Sequence, residues 1–374
     1  MKKFINLLAI VFFSAITLLG VSAIAIEAGF DVKPTIATVL VASALFAIAK
    51  KKFQFGVGAT GLDVSQLAVV LGDYIQAETA NIWKKIYQGL EFEAYMRKLG
   101  GKRGKFSTFK SSQSDVLQAF QPGFTKKGET TFTPYINEVY RTKVDFLLDD
   151  IDEIYSGYLG FMADETINRA DWPITKYIIN EHLIPKIIEE LNIASARGSY
   201  LAPTPGTAGN SINICNGILT IVANEITATN ITPITTGAIT AVNALDKMET
   251  FLDDIAAIDP FVLEKGAIVH CSKSQERFYK KAYRDAFGST NDQAAKNQTM
   301  FDHYNVKLVG LNAFGNSERL LLTEKDNIIV GYDKIYTPNS FKVEEHRREV
   351  AIMTDFHRGY GFGTLDTVFV NDRS

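Results

Sequence analysis

Residues 343–362 read VEEHRREVAIMTDFHRGYGF, a run that brings histidines, arginines, carboxylates and aromatic rings close together in the chain. Imidazole beside carboxylate is a proton-transfer pair, guanidinium groups bind carboxylates or phosphates, and clustered acids hold hard cations. The spacing argues for none of these. Side chains alternate across a strand, so Val350, Ile352, Thr354 and Phe356 share one face while Ala351, Met353, Asp355 and His357 share the other. Residues 350–357 are therefore predicted as a strand, entered from Phe341-Lys342-Val343 through a hairpin tip at Glu344 to Glu349 that includes Glu345, Arg347 and Arg348. Opposite charges at such a tip keep a projecting edge soluble or meet the charges of a partner.

The other constellations are weaker. His182, His270, His303, His346 and His357 are dispersed, and no H-E-x-x-H spacing joins two of them around a metal. His270 adjoins Cys271, but neighbours on a strand point to opposite faces, so packing is expected rather than a base and nucleophile. With Cys215 as its only companion, Cys271 belongs to neither a disulfide framework nor a zinc site, and both read as reduced, buried thiols. Asp149, Asp150, Asp152 and Glu153 lack the glycine and closing glutamate of a calcium loop and read as a solvated turn. No phosphate-binding glycine motif or hydrolase elbow is present, and RGYGFG at 358–363 precedes no helix that would hold a phosphate. No catalytic residue, cofactor or metal is expected. The basic run KLGGKRGKF at 98–106 carries Lys98, Lys102, Arg103 and Lys105 and is predicted as a mobile loop, directed to solvent or to an acidic surface on a neighbouring chain.

These residues sit in a chain of 374 residues, 46% hydrophobic and 22% charged, which is enough apolar material for more than one packed core. A net charge of −3 makes the whole molecule no general trap for nucleic acid. The N-terminus departs from this ordinary composition. Phe4 to Ile26 is long enough to cross a bilayer, and a second apolar run, Pro34 to Ala49, ends in Lys50, Lys51 and Lys52. With Lys2 and Lys3 ahead of the first run, three readings are open: a membrane hairpin with both ends in the cytoplasm, a signal peptide cut near Ala23-Ile24-Ala25, or an apolar arm buried in an assembly or removed on maturation.

Beyond it, Leu67, Leu71, Ile75, Ile82 and Ile86 predict a long amphipathic helix from Asp63 to about Leu90, with Asp63 and Gln66 as a capping pair. TTFTPYINEVYRTKVDFLL at 130–148 predicts strands in a long hairpin with the segment before it. A helix is expected from a cap at Asp171 to Ala196, with Pro173 in its first turn and a kink or break at Pro185. Leu201 to Gly209 reads as a loop and Ile226 to Ile239 as extended chain. Val242, Leu245, Met248, Leu252 and Ile255 mark one side of a helix that ends before Asp259-Pro260. AIVHCS at 267–272 is a short buried strand, followed by a Ser272/Gln275 capping box and a helix that Gly288 stops. Further strands are predicted at 306–309, 320–323 and 328–331.

The succession IVHCSKSQERFYKKAYRDAFG, FDHYNVKLVGLNAFG, LLLTEKDNIIVGYDKIYT and SFKVEEHRREVAIMTDFHRGYGFGTLDTVFV, spanning Gly266 to Val370, resembles the major capsid proteins of tailed phages. Upstream, the basic loop and hairpin are similar to that family's extended loop, and Asp171 to Ala196 to its spine helix. The resemblance implies an α+β fold of the Hong Kong 97-like major capsid type. Its parts would be an apolar N-terminal segment (1–52), a helix and extended β-hairpin loop (53–165), a spine-helix or peripheral region (166–240), and an axial sheet-and-helix domain (241–374) whose last strands return to the peripheral one. It implies a structural, non-enzymatic subunit whose partner is itself, in hexamers and pentamers of an icosahedral shell assembled in the host cytoplasm around double-stranded DNA. Portal and scaffold or protease proteins would be further partners, with membrane contact through residues 4–49. On this reading Lys102, Arg103, Lys105, Lys110, Glu344, Glu345, Arg347 and Arg348 are the expected inter-subunit contacts. The apolar start departs from the polar or flexible arms common in the family. An encapsulin-like compartment shell and a membrane-anchored binding protein are the alternatives.

Overall fold

α1 (Val64–Gly89) forms because Leu67, Leu71, Ile75, Ile82 and Ile86 recur at helical spacing, and all of them are buried together with Trp83. It opens the part of the chain that the computed structural model describes: residues 64–149, 151–163, 172–287, 301, 304–333, 341–346 and 349–374, all in one compact unit, Leu62–Ser374. The apolar runs of residues 4–49, the caps Asp63 and Asp171, the stop at Gly288 and the candidates Arg347 and Arg348 lie outside the described residues. Among the described residues no helix is long and apolar enough to cross a membrane.

The following helices are α2 (Ile151–Phe161), α3 (Ile174–Tyr177), α4 (Ile184–Arg197), α5 (Ile218–Thr227), α6 (Ala244–Ile258), α7 (Pro260–Lys265) and α8 (Lys273–Phe287). A π-helical turn, Ile178–Leu183, joins α3 to α4, and the Ile184 N–H donates to the Ile179 carbonyl, five residues back. Pro185 thus neither breaks the helix nor ends it: the wider turn before it accommodates the ring and the missing N–H. α2 corrects the expected solvated turn, since Asp152 and Glu153 occupy its first turn, where acids complement the helix dipole. α5 was not foreseen. It ends where Ile226 to Ile239 was expected to be extended, and from there the chain is irregular, with a single bridge from Ile234 to Asn371. Val242 is 88% exposed in the turn ahead of α6 rather than on its apolar face. Asp259 ends α6 and caps α7 by accepting from the Phe261 N–H at 3.0 Å. The Ser272 hydroxyl accepts from the Gln275 N–H at 3.4 Å and starts α8 as predicted.

In chain order the strands are β1 (Arg97–Leu99), β2 (Gly104–Gln113), β3 (Thr130–Leu148), β4 (Ala267–Ser272), β5 (Val306–Leu311), β6 (Leu321–Glu324), β7 (Ile328–Gly331), β8 (Phe341–His346), β9 (Glu349–Phe362) and β10 (Val368–Val370). They build two sheets, one ordered β1-β7-β9-β3-β2 with β8 also on β9, the other β10-β6-β4-β5. The first wraps α1 and the α3–α4 helix through Phe341, Val350 and Ile352; the second packs on α6, α7 and α8 through Val269, Cys271, Leu308 and Leu322. A third apolar cluster, with Val309 and Leu321 from one sheet and Val330 and Phe362 from the other, lies between them. The fold is α+β.

Two expectations about β9 need correction. It runs to Phe362, well past residue 357, and β8 pairs with it as far as His346 opposite Glu349, so Glu344 and Glu345 are strand residues rather than a tip. The run KLGGKRGKF is likewise no single loop: Lys98 and Leu99 belong to β1, Gly104 to Phe106 belong to β2, and only the turn between remains, with Gly101 at φ 72°.

Candidate assembly interface

β3 has two halves with different partners. From Tyr140 to Leu148 it pairs with β9, inside the body; from Thr130 to Val139 it pairs only with β2, from Gly104 opposite Val139 to Gln113 opposite Thr130. The outer half is thus a two-stranded ribbon, an arm with no sheet behind it, and such a ribbon has no independent core. Directly opposed residues share a face. One face carries Phe106, Thr108, Tyr135, Asn137 and Val139, and it is tied to the body. Asn137, 3% exposed, donates to the Phe362 carbonyl and accepts from its N–H, both at 3.2 Å, and Thr108 donates to the same carbonyl. The Tyr135 hydroxyl donates to Glu225 at 3.1 Å. A Cβ on Gly361 would stand 1.7 Å from the Asn137 Oδ1, so β9 needs glycine where the arm crosses it.

The opposite face of the ribbon carries Phe109, Phe132, Pro134 and Ile136, with Phe109 67%, Phe132 65% and Ile136 59% exposed. The connection at the tip continues it: Val116 and Leu117 are exposed, and Phe120 and Phe124 are each 96% exposed. Apolar surface of this extent, on a face that no described residue covers, marks a contact site. The tip residues were missed in the sequence because LQAFQPGF has neither helical nor strand period; its signal was two phenylalanines in a stretch otherwise reading as turn.

The basic candidates lie along this arm, and within one chain they are already paired. Arg103 meets Asp333 at 2.5 Å, Lys105 meets Glu138 at 2.6 Å, Lys110 contacts Asp366, and Lys102 sits 5.5 Å from the Phe106 ring. The hydrogen bond it donates to Asp333 holds the exposed Arg103 guanidinium above its usual pKa, and hydrogen bonds from Lys105 and Tyr140 hold the Glu138 carboxyl below its own. Glu344 and Glu345 are exposed on β8, far from the arm in register, and Glu345 accepts from the Ser65 hydroxyl at 2.9 Å. The structure therefore separates the expected contacts into a basic arm and an acidic strand.

Between α1 and β8 lies an open groove of about 540 Å³, lined by Val69, Gly72, Asp73, Phe341, Glu344 and Glu345 among others. Val69 is 64% exposed there, and a Cβ on Gly72 would meet no atom within 4 Å. Glycine in a helix interior costs about 0.5–1 kcal/mol relative to alanine, and no contact in the described chain requires it.

Among the described residues, the one fully buried charge pair sits where the arm joins the body. Arg358 and Glu93 are 1% and 2% exposed at 2.6 Å, and the Tyr360 hydroxyl donates to Glu93 at 2.8 Å. The guanidinium also stacks 4.9 Å from the Tyr87 ring. Burial opposes its charge, but Glu93 more than offsets this and raises the Arg358 pKa; burial likewise raises that of Tyr360. His270 is buried against Phe92 and Tyr95, its Nδ1 without a partner, while Cys271 donates weakly to the Val309 carbonyl. Burial pushes His270 down to about 3 and keeps both thiols protonated, which leaves base and nucleophile alike inert. No group of metal-ligating side chains occurs among the described residues.

No family model matches the chain, and no curated protein matches it. Solved structures do. A chain of the satellite phage P4 procapsid with its size determination (Sid) protein is 12% identical, with a TM-score of 0.47 over 77% of this chain and 96% of that one. A chain of the capsid of Myoviridae phage XM1 is 11% identical, with a TM-score of 0.45 over 75% and 91%. A chain of the capsid of an empty GTA particle is 10% identical, with a TM-score of 0.47 over 76% and 89%.

Proposed function

We propose that this chain is a structural subunit of a tailed-phage capsid, with the Hong Kong 97-like fold, which catalyses no reaction and whose principal partner is another copy of itself. The observation that carries this is the arm: a ribbon anchored to its own body by one face, with Phe109, Phe132, Ile136, Phe120 and Phe124 exposed on the other and at the tip. Such a surface stays out of water only against a second molecule. In the finer reading, the α1 and α3–α4 region is the peripheral part and the four-stranded sheet with α6 to α8 the axial part. Copies then close into hexamers and pentamers of an icosahedral shell around double-stranded DNA in the host cytoplasm, with portal and scaffold or protease proteins as further partners.

The test is to express the full chain, and residues 53–374 beside it, and to examine the products by negative-stain microscopy and light scattering. Closed shells or rings are expected. A monomer that persists at high concentration overturns the proposal. Particles that protect nuclease-resistant DNA support the genome-enclosing form, whereas DNA-free particles filled with a co-purifying protein identify a cargo compartment instead.

A further inference from the structure

β3 changes partners between Val139 and Tyr140, and this is where the arm leaves the body. The connection between α4 and α5, residues 198–217, meets β3 there at Tyr140, and α5 itself meets it at Tyr135. An odd and an even position on one strand point to opposite faces, so β3 is held from both sides. On one face the Tyr135 hydroxyl donates to Glu225 of α5, whose other carboxylate oxygen accepts from the Asn230 side chain at 2.6 Å. On the other face the Tyr140 ring stacks on Tyr200, with centroids 4.0 Å apart and planes at 22°. The Tyr140 hydroxyl accepts from the Asn216 Nδ2 at 3.1 Å and donates to Glu138 at 2.5 Å.

The connection is stiff at this end. The Gly217 N–H donates to the Gly198 carbonyl at 2.8 Å, and the Ser199 and Leu201 N–H groups donate to the Ile212 and Asn213 carbonyls. The Tyr200 N–H donates to the Asn216 Oδ1 at 2.9 Å, so one side-chain amide fixes the tyrosine of the connection and the tyrosine of the arm together. A Cβ on Gly198 would stand 2.5 Å from the Ala194 and Cys215 carbonyl oxygens, and one on Gly217 2.5 Å from Ala196, so only glycine lets the neck close. A connection of this length with one short helical turn, Ser211–Asn213, is unusual in a compact body unless it serves a function.

We infer that residues 198–227 form a two-jawed strap that sets the direction of the arm. Asn137 and Thr108, bonded to Phe362, pin the arm to β9 at one place, and a single pin leaves a ribbon free to pivot. The jaws lie on either side of that pin, at Tyr135 and Tyr140, and on opposite faces of the strand. A swing one way separates both pairs, and a swing the other way drives both together. The arm is therefore aimed by its own chain before any second molecule arrives, and the entropy of ordering it is not subtracted from a later contact. The inference concerns the free subunit and goes beyond the shell reading without resting on it.

The test is a distance between two spin labels on the full chain, measured on the dilute subunit. Cys215 and Cys271 are buried, so labels attach only at introduced cysteines, Ser112→Cys on the arm and Asp254→Cys on α6, both at exposed positions. The labelled chain with its strap intact is expected to give one narrow distance. Tyr135→Phe with Tyr200→Ala is expected to lose it in favour of a broad spread, with helix content by circular dichroism unchanged. Ser272→Ala, which removes the cap of α8, is the control for general loosening and is expected to keep the narrow distance. A broad spread with the strap intact overturns the inference, as does a narrow distance in the strap variant or a broad one in the control. If Tyr135→Phe with Tyr200→Ala does not fold, Asn216→Ala with Glu225→Ala weakens the same two jaws from the strap's side and is read in the same way. Because the subunit is measured unassembled, failure of the shell reading and failure of the strap are separate results.

Discussion

The four-stranded sheet and the outer arm use much the same residues, β-branched and aromatic with interspersed charges, and reach opposite ends. Every residue of β4 but Ile268 is buried, whereas no residue of β2 is. The difference is not propensity, which both satisfy. β4 lies between β5 and β6 with α6, α7 and α8 packed on it, while β2 has β3 on one edge and no described strand on the other. A strand acquires a core from its neighbours in the topology, and a projecting ribbon must acquire one from another molecule. The charges follow the same division. Arg358 and Glu93, inside the arm's root, are sealed from water, and Arg103 with Asp333, at the same root but on its surface, remains solvated.

The largest expected effect is at the root. Glu93→Ala leaves the Arg358 guanidinium buried and uncompensated, and removing one partner of such a pair costs about 3–5 kcal/mol. Urea denaturation should show that loss, and the double replacement Glu93→Leu with Arg358→Met should recover most of it, because desolvating an ion pair offsets much of its attraction. Arg103→Ala should leave the midpoint where it is. An equal loss at both sites would erase the contrast between the sealed pair and the solvated one.

Next in size is a pH effect confined to the body. His270 has its pKa lowered by burial to about 3, against ~6.5 in the unfolded chain, so the fold holds it neutral. As pH falls from ~6.5 toward 3, the unfolded state takes up a proton that the folded state refuses, and stability drops by about 1.4 kcal/mol per unit. Above ~6.5 the group contributes no slope. Parent and His270→Leu, compared by denaturation between pH 8 and 4, should diverge only below that point, the parent losing more. Parallel curves would show that the imidazole is not held neutral.

Much of the body was legible because its signals are periodic. The apolar positions of α1, the capping box at Ser272 and the alternation of residues 350–357 appear where the pattern puts them. The alternation in fact continues: Arg358 and Tyr360 fall on the same face as Ile352 and Thr354, and carrying the period two steps farther would have placed a charge in the interior. What pattern could not supply was partnership. Glu93 sits within an ordinary short helical turn, Phe92–Tyr95, and only the distant β9 makes it half of an ion pair. Gly72 reads as a mild defect in a helix, and the open space beside it is visible only in the structure. The arm was legible as a hairpin, but which of its faces is anchored depends on Asn137 reaching Phe362 across a separation in sequence of 225 residues. Pro185 misled for a related reason: the cost of a proline depends on whether the preceding turn can widen, and here it does.

A smaller effect separates the groove from the rest of α1. Gly72→Ala restores helix propensity in a position with room for a methyl group, so it should stabilise the isolated subunit by about 0.5–1 kcal/mol. A loss of stability on thermal melting would mean that the glycine already serves a contact within its own chain, and the open space would need another explanation.

The smallest effect on the fold belongs to the arm's outer face, and it sharpens the comparison most. Phe120→Ser with Phe124→Ser removes two large apolar side chains that touch almost nothing in their own chain. In a core, such truncations cost about 3–5 kcal/mol each; at an unburied surface the change stays within about 0.5 kcal/mol. Denaturation of the dilute subunit should therefore find no difference from the parent, while sedimentation at assembly concentrations should find the association lost. Stability and association are separable only if the rings face another molecule. If instead the dilute subunit were destabilised by an amount typical of a core residue, the arm would be packing on its own body, and the line drawn between a strand with neighbours and a ribbon without them would be in the wrong place.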